Sequence, residues 1–266
     1  MQASVSTAST ETGAALRAVR TVLAEQGMSE VLTPRLVAKS DWEGHPTFGV
    51  AGGHVDARLA TSTLQFLLPY HAKLDGVYAI GPVFRPEENL TPNRLHEFHL
   101  IEAVGKGSAD DALALVERIL SAVGAAGSDG FAHLSTDDAF RVAGTDSDHE
   151  LDYERQLKVV ASAGDKPVVI RGLTSMNQQT PVFRDGDGVF DVLVPHAGEV
   201  GTGGELLTGA DASGNGDVAQ ALSSIGAPSY AFVLCFERLL QSAHGVEQIS
   251  SVAPGHGKLT PLTVDM

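Results

Sequence analysis

The feature that most constrains the fold is the segment Val83–Ala103, which reads VFRPEENLTPNRLHEFHLIEA. Its ends alternate apolar and polar residues around a charged loop with proline, a pattern that predicts a strand, a long loop and a returning strand. Arg85 at the end of the first strand offers a planar fork of donors suited to a phosphate or a carboxylate. Phe98 on the return strand offers a flat apolar face. An arbitrary hairpin with ordinary surface charges is the alternative interpretation, and other segments decide between the two.

The composition limits which classes of protein this chain can represent. With 266 residues and 43% hydrophobic content it can bury a substantial core. Its net charge of −15 argues against a broad nucleic-acid surface and leaves a local basic patch open. The single cysteine, Cys235, excludes a disulfide framework and a cysteine-based zinc site. No apolar run reaches the roughly 18 residues that span a bilayer, and the first residues lack a secretory signal. The sequence therefore predicts a soluble, cytoplasmic protein without a membrane partner, disordered over residues 1–12 and forming a single domain over 13–266.

Apolar spacing and turn residues predict helices and strands in alternation along the chain. Alternation fits a parallel α/β sheet, but the hairpin and the uneven helix spacing favour an antiparallel sheet. The predicted fold class is α+β, an antiparallel β-sheet flanked by helices, which we expect on one side. Helices are predicted at residues 13–26, in the first half of 58–73 before Pro69, and at 108–123, 148–163, 217–225 and 236–243; strands are predicted at 29–37, with a bend at Pro34, and at 168–170 and 189–194.

Two further segments carry polar residues beside apolar strands. In Phe190–Val200, FDVLVPHAGEV, Asp191 opens a strand and Glu199 follows the next turn, so the two carboxylates fit a magnesium site completed by substrate phosphates. Two unrelated surface carboxylates are the alternative. In Phe232–Gly245, FVLCFERLLQSAHG, an apolar strand runs into a helix whose first turn carries Arg238. Arg238 is either a surface charge or a group that projects over a bound nucleotide.

Together these segments resemble the catalytic domain of class II aminoacyl-tRNA synthetases, and in particular the aspartyl and asparaginyl enzymes. Met28–Glu43 resembles the first motif and the substrate loop after it, and Val77–Glu102 resembles the second motif, with its F-R-x-E start and E-F-x-x-I-E finish. Phe190–Glu199 resembles the D-x-L-x-P-x-x-G-E segment, and Phe236–Leu240 resembles the end of the third motif. The four motifs occur in the family's order. Few residues precede the first-motif strand, so a stand-alone catalytic domain without the anticodon-binding barrel is expected.

The resemblance implies a set of ATP-binding residues: Arg85, Glu87, Arg94, Phe98 and Arg238. Arg85 would hold the substrate carboxylate and the α-phosphate, while Phe98 would stack on the adenine and Glu87 would help to seat it. Arg238 would cover the other face of the adenine or reach the γ-phosphate. Arg94 stands where the family has a histidine and would serve the γ-phosphate in its place. Of this set, Arg85 and Arg238 are the residues expected to act in catalysis.

The resemblance also implies a metal site, a reaction and an assembly. Asp191 and Glu199 would hold Mg²⁺. A substrate carboxylate would attack the α-phosphorus of ATP and give an acyl-adenylate and pyrophosphate. Positioning and neutralisation of phosphate charge supply most of the rate of such a reaction. A homodimer through the helix and strand before Ser40 is implied as well.

The amino-acid half of the expected site departs from the family pattern. Glu43 and Ser62 match positions that meet the amino group of an amino acid, and Gln65 stands one place after the expected glutamine. These three residues and Arg85 form the predicted substrate-binding set.

Leucine occupies two positions that meet the substrate side chain in the family. Leu67 stands at the lysine position that selects aspartate, and Leu206 or Leu207 lies near the position of an arginine. Leucine cannot pair with a carboxylate, and burying an unpaired carboxylate is costly, so aspartate itself is not the expected substrate. Val233 and Cys235 replace glycines of the third motif. The sequence therefore predicts a retained ATP half and a remodelled amino-acid half.

Four functions fit these residues. The favoured one is an ATP-dependent ligase that adenylates an amino acid and passes it to a non-tRNA acceptor, either a small molecule or a carrier protein. This choice fits the acidic charge, and a whole tRNA is not the expected partner. The alternatives are charging or modification of tRNA through its acceptor end, amide formation of the asparagine-synthetase kind, and a catalytically silent paralogue that acts as a binding or regulatory module. Loss of the side-chain arginine disfavours amide formation, and the changed glycines favour the silent paralogue.

Overall fold

The computed structural model describes residues 5–38, 46–52, 56–87, 90–145, 151–174, 182–184, 186, 188–209, 217–226 and 228–253. The described helices are α1 Val5–Glu25, α2 Leu64–His71, α3 Ala109–Ala122, α4 Thr136–Ala143, α5 Tyr153–Ser162, α6 Asp217–Ser223 and α7 Phe236–Ala243. The described strands are β1 Ser29–Glu30, β2 Leu36–Ala38, β3 Gly49–Val50, β4 Ala57–Leu59, β5 Gly76–Phe84, β6 Glu97–Lys106, β7 Ala132–Ser135, β8 Val168–Arg171, β9 Val189–Val194, β10 Gly198–Glu205 and β11 Ser229–Cys235. None of the described helices has the length and apolar content needed to cross a bilayer.

One large, mixed sheet organises the described part of the chain. Its strand order is β1-β5-β6-β11-β10-β9-β8-β7, with antiparallel pairs in the middle and the parallel pairs β1–β5 and β7–β8 at the edges. The predicted hairpin is the pair β5–β6. A second, small sheet of order β2-β4-β3 lies beside the end of β5, where the Phe84 amide donates to the Ala60 carbonyl at 2.9 Å. The predicted fold class, an antiparallel sheet flanked by helices, is confirmed.

Apolar side chains cover both faces of the large sheet. On β6, Ile101 and Ala103 pack with α1, α3 and α7, whereas Val104 packs with α2, α4 and α5. Successive strand residues project to opposite faces, so these are two separate cores. The expectation of helices on one side is therefore wrong. The reason lies in strands such as β9, where neighbouring residues Val192 and Leu193 are both buried.

Helix α1 begins at Val5, whereas the sequence predicted disorder over residues 1–12 and a helix from Gly13. The stretch before Gly13 lacks apolar periodicity, but it also lacks proline and glycine. Extending an existing helix costs much less than nucleating one. A helix anchored in the core by Val19 and Leu23 therefore continues backward to Val5.

The start of α2 also differs from the prediction for residues 58–73. That segment begins as strand β4, and α2 runs from Leu64 through Pro69, where the sequence predicted the helix to end. The carboxylate of Glu102 accepts from the backbone amides of Thr63 and Leu64, so a residue distant in sequence fixes where the helix begins.

The predicted strand at residues 29–37 is divided into β1 and β2. Pro34 lies between them and has no amide hydrogen to donate to a strand ladder. Helix α5 starts at Tyr153, after the predicted start near residue 148, because the side chain of Asp152 caps it by accepting from the Arg155 amide at 2.9 Å. Residues 146–150 lie outside the described part of the chain.

Strand β10 was not predicted, because glycine hides its strand pattern. A Cβ atom added at Gly201 would lie 2.1 Å from the Val233 carbonyl oxygen, and one at Gly203 would lie 2.5 Å from the Phe190 ring. The neighbouring strands occupy the space that larger side chains would need. The glycine-rich residues Gly201–Glu205 are thus part of the central sheet.

Candidate active site

A row of paired residues crosses the middle of the large sheet. Glu102 on β6 is paired with Ala79 on β5 and with Val233 on β11, Val233 is paired with Thr202 on β10, and Thr202 with Asp191 on β9. Directly paired residues project to the same side of a sheet. We call the side of the sheet that carries this row the site face.

Phe98 and Arg85 lie at one end of the site face. Phe98 is four residues before Glu102 on β6, hence on the same face, and is 8% exposed. Arg85 follows β5, and its guanidinium carbon lies 5.5 Å from the centroid of the Phe98 ring. The Arg85 Nε donates to the Thr61 carbonyl at 3.2 Å, which fixes the direction of the side chain. The pair thus places a cation over a flat apolar ring.

Arg238 joins two other parts of the site. It lies in the first turn of α7, its Nε donates to the Asn93 carbonyl at 3.0 Å, and its Nη1 donates to the Glu199 carbonyl at 2.7 Å. Arginine has five N–H donors, so these bonds hold the guanidinium and leave further donors for a ligand. Arg238 thereby connects the β5–β6 loop to β10.

Asp191 and Glu199 lie on adjacent strands and on the same face. Glu199 is paired with Leu193, two residues along β9 from Asp191, and a bulge follows Glu199 in β10. The two carboxylates are therefore diagonal neighbours, and both side chains are partly exposed. The described residues contain no group of three or more His, Cys, Asp or Glu side chains arranged to hold a metal ion. The pair suits Mg²⁺, which commonly uses one or two protein carboxylates with phosphate and water oxygens.

Glu87 and Arg94, predicted to serve the adenine and the γ-phosphate, form an ion pair with each other. The distance from Arg94 Nη1 to Glu87 Oε2 is 2.8 Å. The Arg94 side chain is 44% exposed, so a phosphate can approach its guanidinium. The pair joins the two arms of the β5–β6 loop.

The predicted amino-acid half is held together by Glu102, a residue to which the sequence assigned no role of its own. Glu102 is 1% exposed. It accepts from the Ser62 hydroxyl at 2.5 Å and from the amides of Thr63 and Leu64. Ser62 is itself 2% exposed, so its hydroxyl is already engaged inside the protein.

Of the two other residues predicted to bind the substrate, the structure describes one. Gln65, in the first turn of α2, is half-buried. Glu43 lies outside the described residues.

A partly buried, hydrogen-bonded pair of side chains fastens α7 to β6. The Glu237 carboxylate, 4% exposed, accepts from the His99 amide and pairs with the His99 ring, both at 2.8 Å. The hydrogen bond to Glu237 raises the pKa of His99 above its ordinary value. Burial raises the pKa of the neighbouring Cys235 thiol to about 12, so this thiol is not a nucleophile at neutral pH.

Sequence reasoning also missed Arg35, whose guanidinium lies over the site face. A Cβ atom added at Gly81 on β5 would lie 2.0 Å from Arg35 Nη2. Arg35 follows the Thr-Pro of the first motif, and no spacing to other polar residues indicates a role in a site. The signal that would have found it is a glycine in the middle of an apolar strand, which often marks close approach by another group.

Comparison with known proteins identifies the family. A family model described as class II tRNA synthetases (D, K and N) matches residues 5–205. The chain belongs to this family. Among curated relatives of this synthetase domain, the aspartate–tRNA(Asp) ligase of Pyrobaculum aerophilum is 27% identical over 181 residues, which cover 65% of this chain and 42% of that protein. The aspartate–tRNA(Asp/Asn) ligase of Methanopyrus kandleri is 36% identical over 109 residues, which cover 40% of this chain and 25% of that protein.

Solved structures of synthetases share the fold of this family member. The asparaginyl-tRNA synthetase of Pyrococcus horikoshii, complexed with asparaginyl-adenylate, has a TM-score of 0.83 at 19% identity over 96% of this chain and 69% of that chain. The asparaginyl-tRNA synthetase of Entamoeba histolytica, also with asparaginyl-adenylate, has a TM-score of 0.82 at 17% identity over 96% of this chain and 67% of that chain. The resemblance found in the sequence is confirmed. The synthetase domain spans less than half the length of the curated relatives named above.

Proposed function

We propose that this synthetase-family protein binds ATP and an amino acid on the site face and joins them as an aminoacyl-adenylate. The observation that carries the proposal is the strand register, which puts Phe98, Asp191 and Glu199 on one face of the sheet. Arg85 and Arg238 lie at the border of the same face. A stacking platform, two phosphate-binding cations and a pair of carboxylates are the groups that a nucleoside triphosphate with Mg²⁺ requires.

In this proposal the ATP is bent across the site face. The adenine stacks on Phe98, the ring over which the Arg85 guanidinium lies. Arg85 holds the α-phosphate and the substrate carboxylate together. Arg238 covers the adenine or reaches the γ-phosphate, and Arg94 exchanges its contact with Glu87 for the γ-phosphate.

Asp191 and Glu199 are the proposed ligands of Mg²⁺. The ion would neutralise charge on the phosphates as they separate. Their position as diagonal neighbours on β9 and β10 supports this assignment, because one cation between the strands can reach both carboxylates.

The proposed reaction needs little proton transfer. An oxygen of the substrate carboxylate attacks the α-phosphorus, the bond from that phosphorus to the bridging oxygen breaks, and pyrophosphate leaves with the bonding electrons. Holding the two reactants in line and stabilising charge on the phosphates account for the rate. The arginines supply fixed cations for both tasks.

We further propose that the acyl group passes to a small molecule or a carrier protein in the cytoplasm. The net charge of −15 supports an acceptor other than a polyanion. Transfer to tRNA is the second candidate, because the relatives named above are tRNA ligases. A local basic patch is sufficient for an acceptor end, so the charge alone does not decide between them.

A homodimer is also part of the proposal. Leu32 is 93% exposed and Leu36 is 58% exposed, both in the first-motif segment. Large exposed apolar side chains in one segment are typical of a surface that another chain covers. Light scattering is expected to give the mass of a dimer, and Leu32→Glu is expected to lower that mass. A monomeric wild-type protein would contradict this assembly.

The test of adenylation is exchange of labelled pyrophosphate into ATP, with each common amino acid in turn. We expect exchange that depends on one amino acid and on Mg²⁺. Arg85→Ala is expected to abolish exchange without unfolding the protein, because the Arg85 side chain donates to a backbone carbonyl and its charge is used by substrates. Arg17→Ala, an exposed arginine on α1, is the matched control and should exchange at the wild-type rate.

Two results decide against parts of the proposal. If no amino acid supports exchange while ATP still binds, adenylation is wrong and a silent binding module is favoured. If exchange occurs and the acyl group is transferred to added tRNA, adenylation stands and the non-tRNA acceptor is wrong.

A further inference from the structure

The two positions that would read a substrate side chain by family resemblance are part of the hydrophobic core. Leu67 and Leu206 are both fully buried and belong to one apolar cluster. Leu207, the other residue near the arginine position, is partly exposed but equally apolar. None of these leucine side chains can offer a hydrogen bond to a substrate. Polar recognition of a side chain on this face must therefore come from a residue elsewhere.

Arg35 places a guanidinium over the site face. Its Nη2 and Cζ lie 2.0 Å and 2.8 Å from where a Cβ of Gly81 would stand, so they lie against the bare backbone of β5. Gly81 is paired with Leu100, which is two residues from Phe98 and two residues from Glu102. The guanidinium thus lies between the nucleobase platform and the carboxylate that holds the start of α2.

The backbone of Arg35 is fixed beside Arg85. The Arg35 carbonyl accepts from the Ala60 amide at 2.9 Å, and the Ala60 carbonyl accepts from the Phe84 amide at 2.9 Å. Arg85 follows directly and bonds to Thr61. Two cations therefore project from the small-sheet side, with Arg85 at the phosphate end and Arg35 deeper along the face.

Arg35 has a donor that the described residues leave unused. Its Nη1 is buried and has no hydrogen-bond partner among them. Glu102 attracts the charge, but its carboxylate already accepts from Ser62, Thr63 and Leu64. Burial lowers the pKa of Arg35, and the charge of Glu102 acts in the opposite direction. A buried donor without an acceptor is costly, and a ligand oxygen at this point would satisfy it.

We propose that Arg35 is the specificity-determining residue for the amino acid, and that it binds an oxygen of the substrate side chain. This inference rests on the proposed function. The substrate class is an amino acid whose side chain carries a carboxylate or a carboxamide. Arg35, which directly precedes β2, would thereby supply the recognition that leucine at position 67 and at position 206 or 207 cannot give.

The test compares pyrophosphate exchange by the wild type, Arg35→Leu and Arg35→Lys, with aspartate, asparagine, glutamate, glutamine, alanine, valine and leucine as substrates. Leucine keeps the apolar bulk of the side chain but has no hydrogen-bond donors. Lysine keeps the positive charge but lacks the planar, forked donors of a guanidinium. Arg58→Leu is the matched control, because Arg58 lies in the small sheet that directly follows Arg35 and pairs with Asp56 at 2.9 Å. Wild-type exchange should be strongest with one of the four oxygen-bearing side chains.

The expected result is a loss of selectivity in Arg35→Leu. Its KM for the preferred amino acid should rise at least about tenfold, the usual minimum effect of removing a charge-assisted hydrogen bond. The KM for ATP should not change, Arg35→Lys should keep part of the preference, and Arg58→Leu should match the wild type.

Three outcomes would overturn the inference. Unchanged amino-acid KM and preference in Arg35→Leu would remove Arg35 from recognition and leave the proposed function intact. An equal loss with every substrate, together with a lower melting temperature, would make Arg35 only a structural partner of Glu102. Absence of exchange in the wild type with every amino acid would overturn the proposed function and this inference together.

Discussion

The replacement Glu102→Gln tests how the start of α2 is held on the site face. The Glu102 carboxylate is 1% exposed and receives four donors from three consecutive residues. These are the Ser62 hydroxyl at 2.5 Å, the Thr63 amide at 2.9 Å, the Thr63 hydroxyl and the Leu64 amide at 3.2 Å. Glutamine has the same shape, but an NH2 group, which donates, stands in place of one of the two accepting oxygens.

The expected loss of stability follows from the lost acceptor. The Thr63 amide and hydroxyl both donate to Oε2, and a hydrogen bond to a charged group contributes about 1.5–3 kcal/mol. The hydroxyl can turn to accept from the new amide group, so we expect a loss of about 3 kcal/mol. For a domain of this size that corresponds to a melting temperature lower by roughly 6–12 °C.

Urea unfolding followed by circular dichroism measures this loss. Glu97→Gln, on the same strand and without a comparable set of donors among the described residues, is the control and should change stability by less than about 0.5 kcal/mol. If Glu102→Gln is as stable as the wild type within about 1 kcal/mol, the carboxylate does not hold α2 as argued here.

Further predictions concern the nucleotide, the metal and pH. Phe98→Leu should raise the KM for ATP about tenfold in the exchange assay, because stacking on a base is lost while apolar volume is kept; an unchanged KM would place the base elsewhere. Asp191→Asn should raise the Mg²⁺ concentration for half-maximal exchange about tenfold or more, and an unchanged Mg²⁺ dependence would remove Asp191 from the metal site. His99→Gln should destabilise the protein more at pH 6 than at pH 8.5 in urea unfolding. The hydrogen bond to Glu237 raises the pKa of His99 in the folded protein. The stability that His99 contributes is therefore complete below its unfolded pKa and is lost as the pH rises through its folded pKa. Equal destabilisation at both pH values would contradict the last prediction.

Helices and strands that are determined by residues near their own ends could be predicted from the sequence. Ser108 and Asp111 form the predicted capping box at the start of α3, and β9 and α7 have the bounds that their apolar patterns indicate. The β5–β6 hairpin follows from the same kind of pattern. Each of these elements depends on residues within a few positions of its own ends.

Features that depend on distant contacts could not be predicted in this way. Glu102 fixes the start of α2 from another strand, and the glycines of β10 reflect side chains of β9 and β11. Arg35 reaches the site because Gly81 leaves space for it. Family motifs indicated Arg85, Phe98, Asp191, Glu199 and Arg238 as a set, and the strand register relates them in space. Those motifs gave no role to Arg35.

The central claim is that one bent ATP lies on the site face, and a crystal structure with a non-hydrolysable ATP analogue and Mg²⁺ tests it most directly. The account predicts the adenine against Phe98, the α-phosphate at Arg85, and the ion bound by Asp191 and Glu199. An analogue bound on another surface, or a triphosphate that extends away from these two carboxylates, would contradict it.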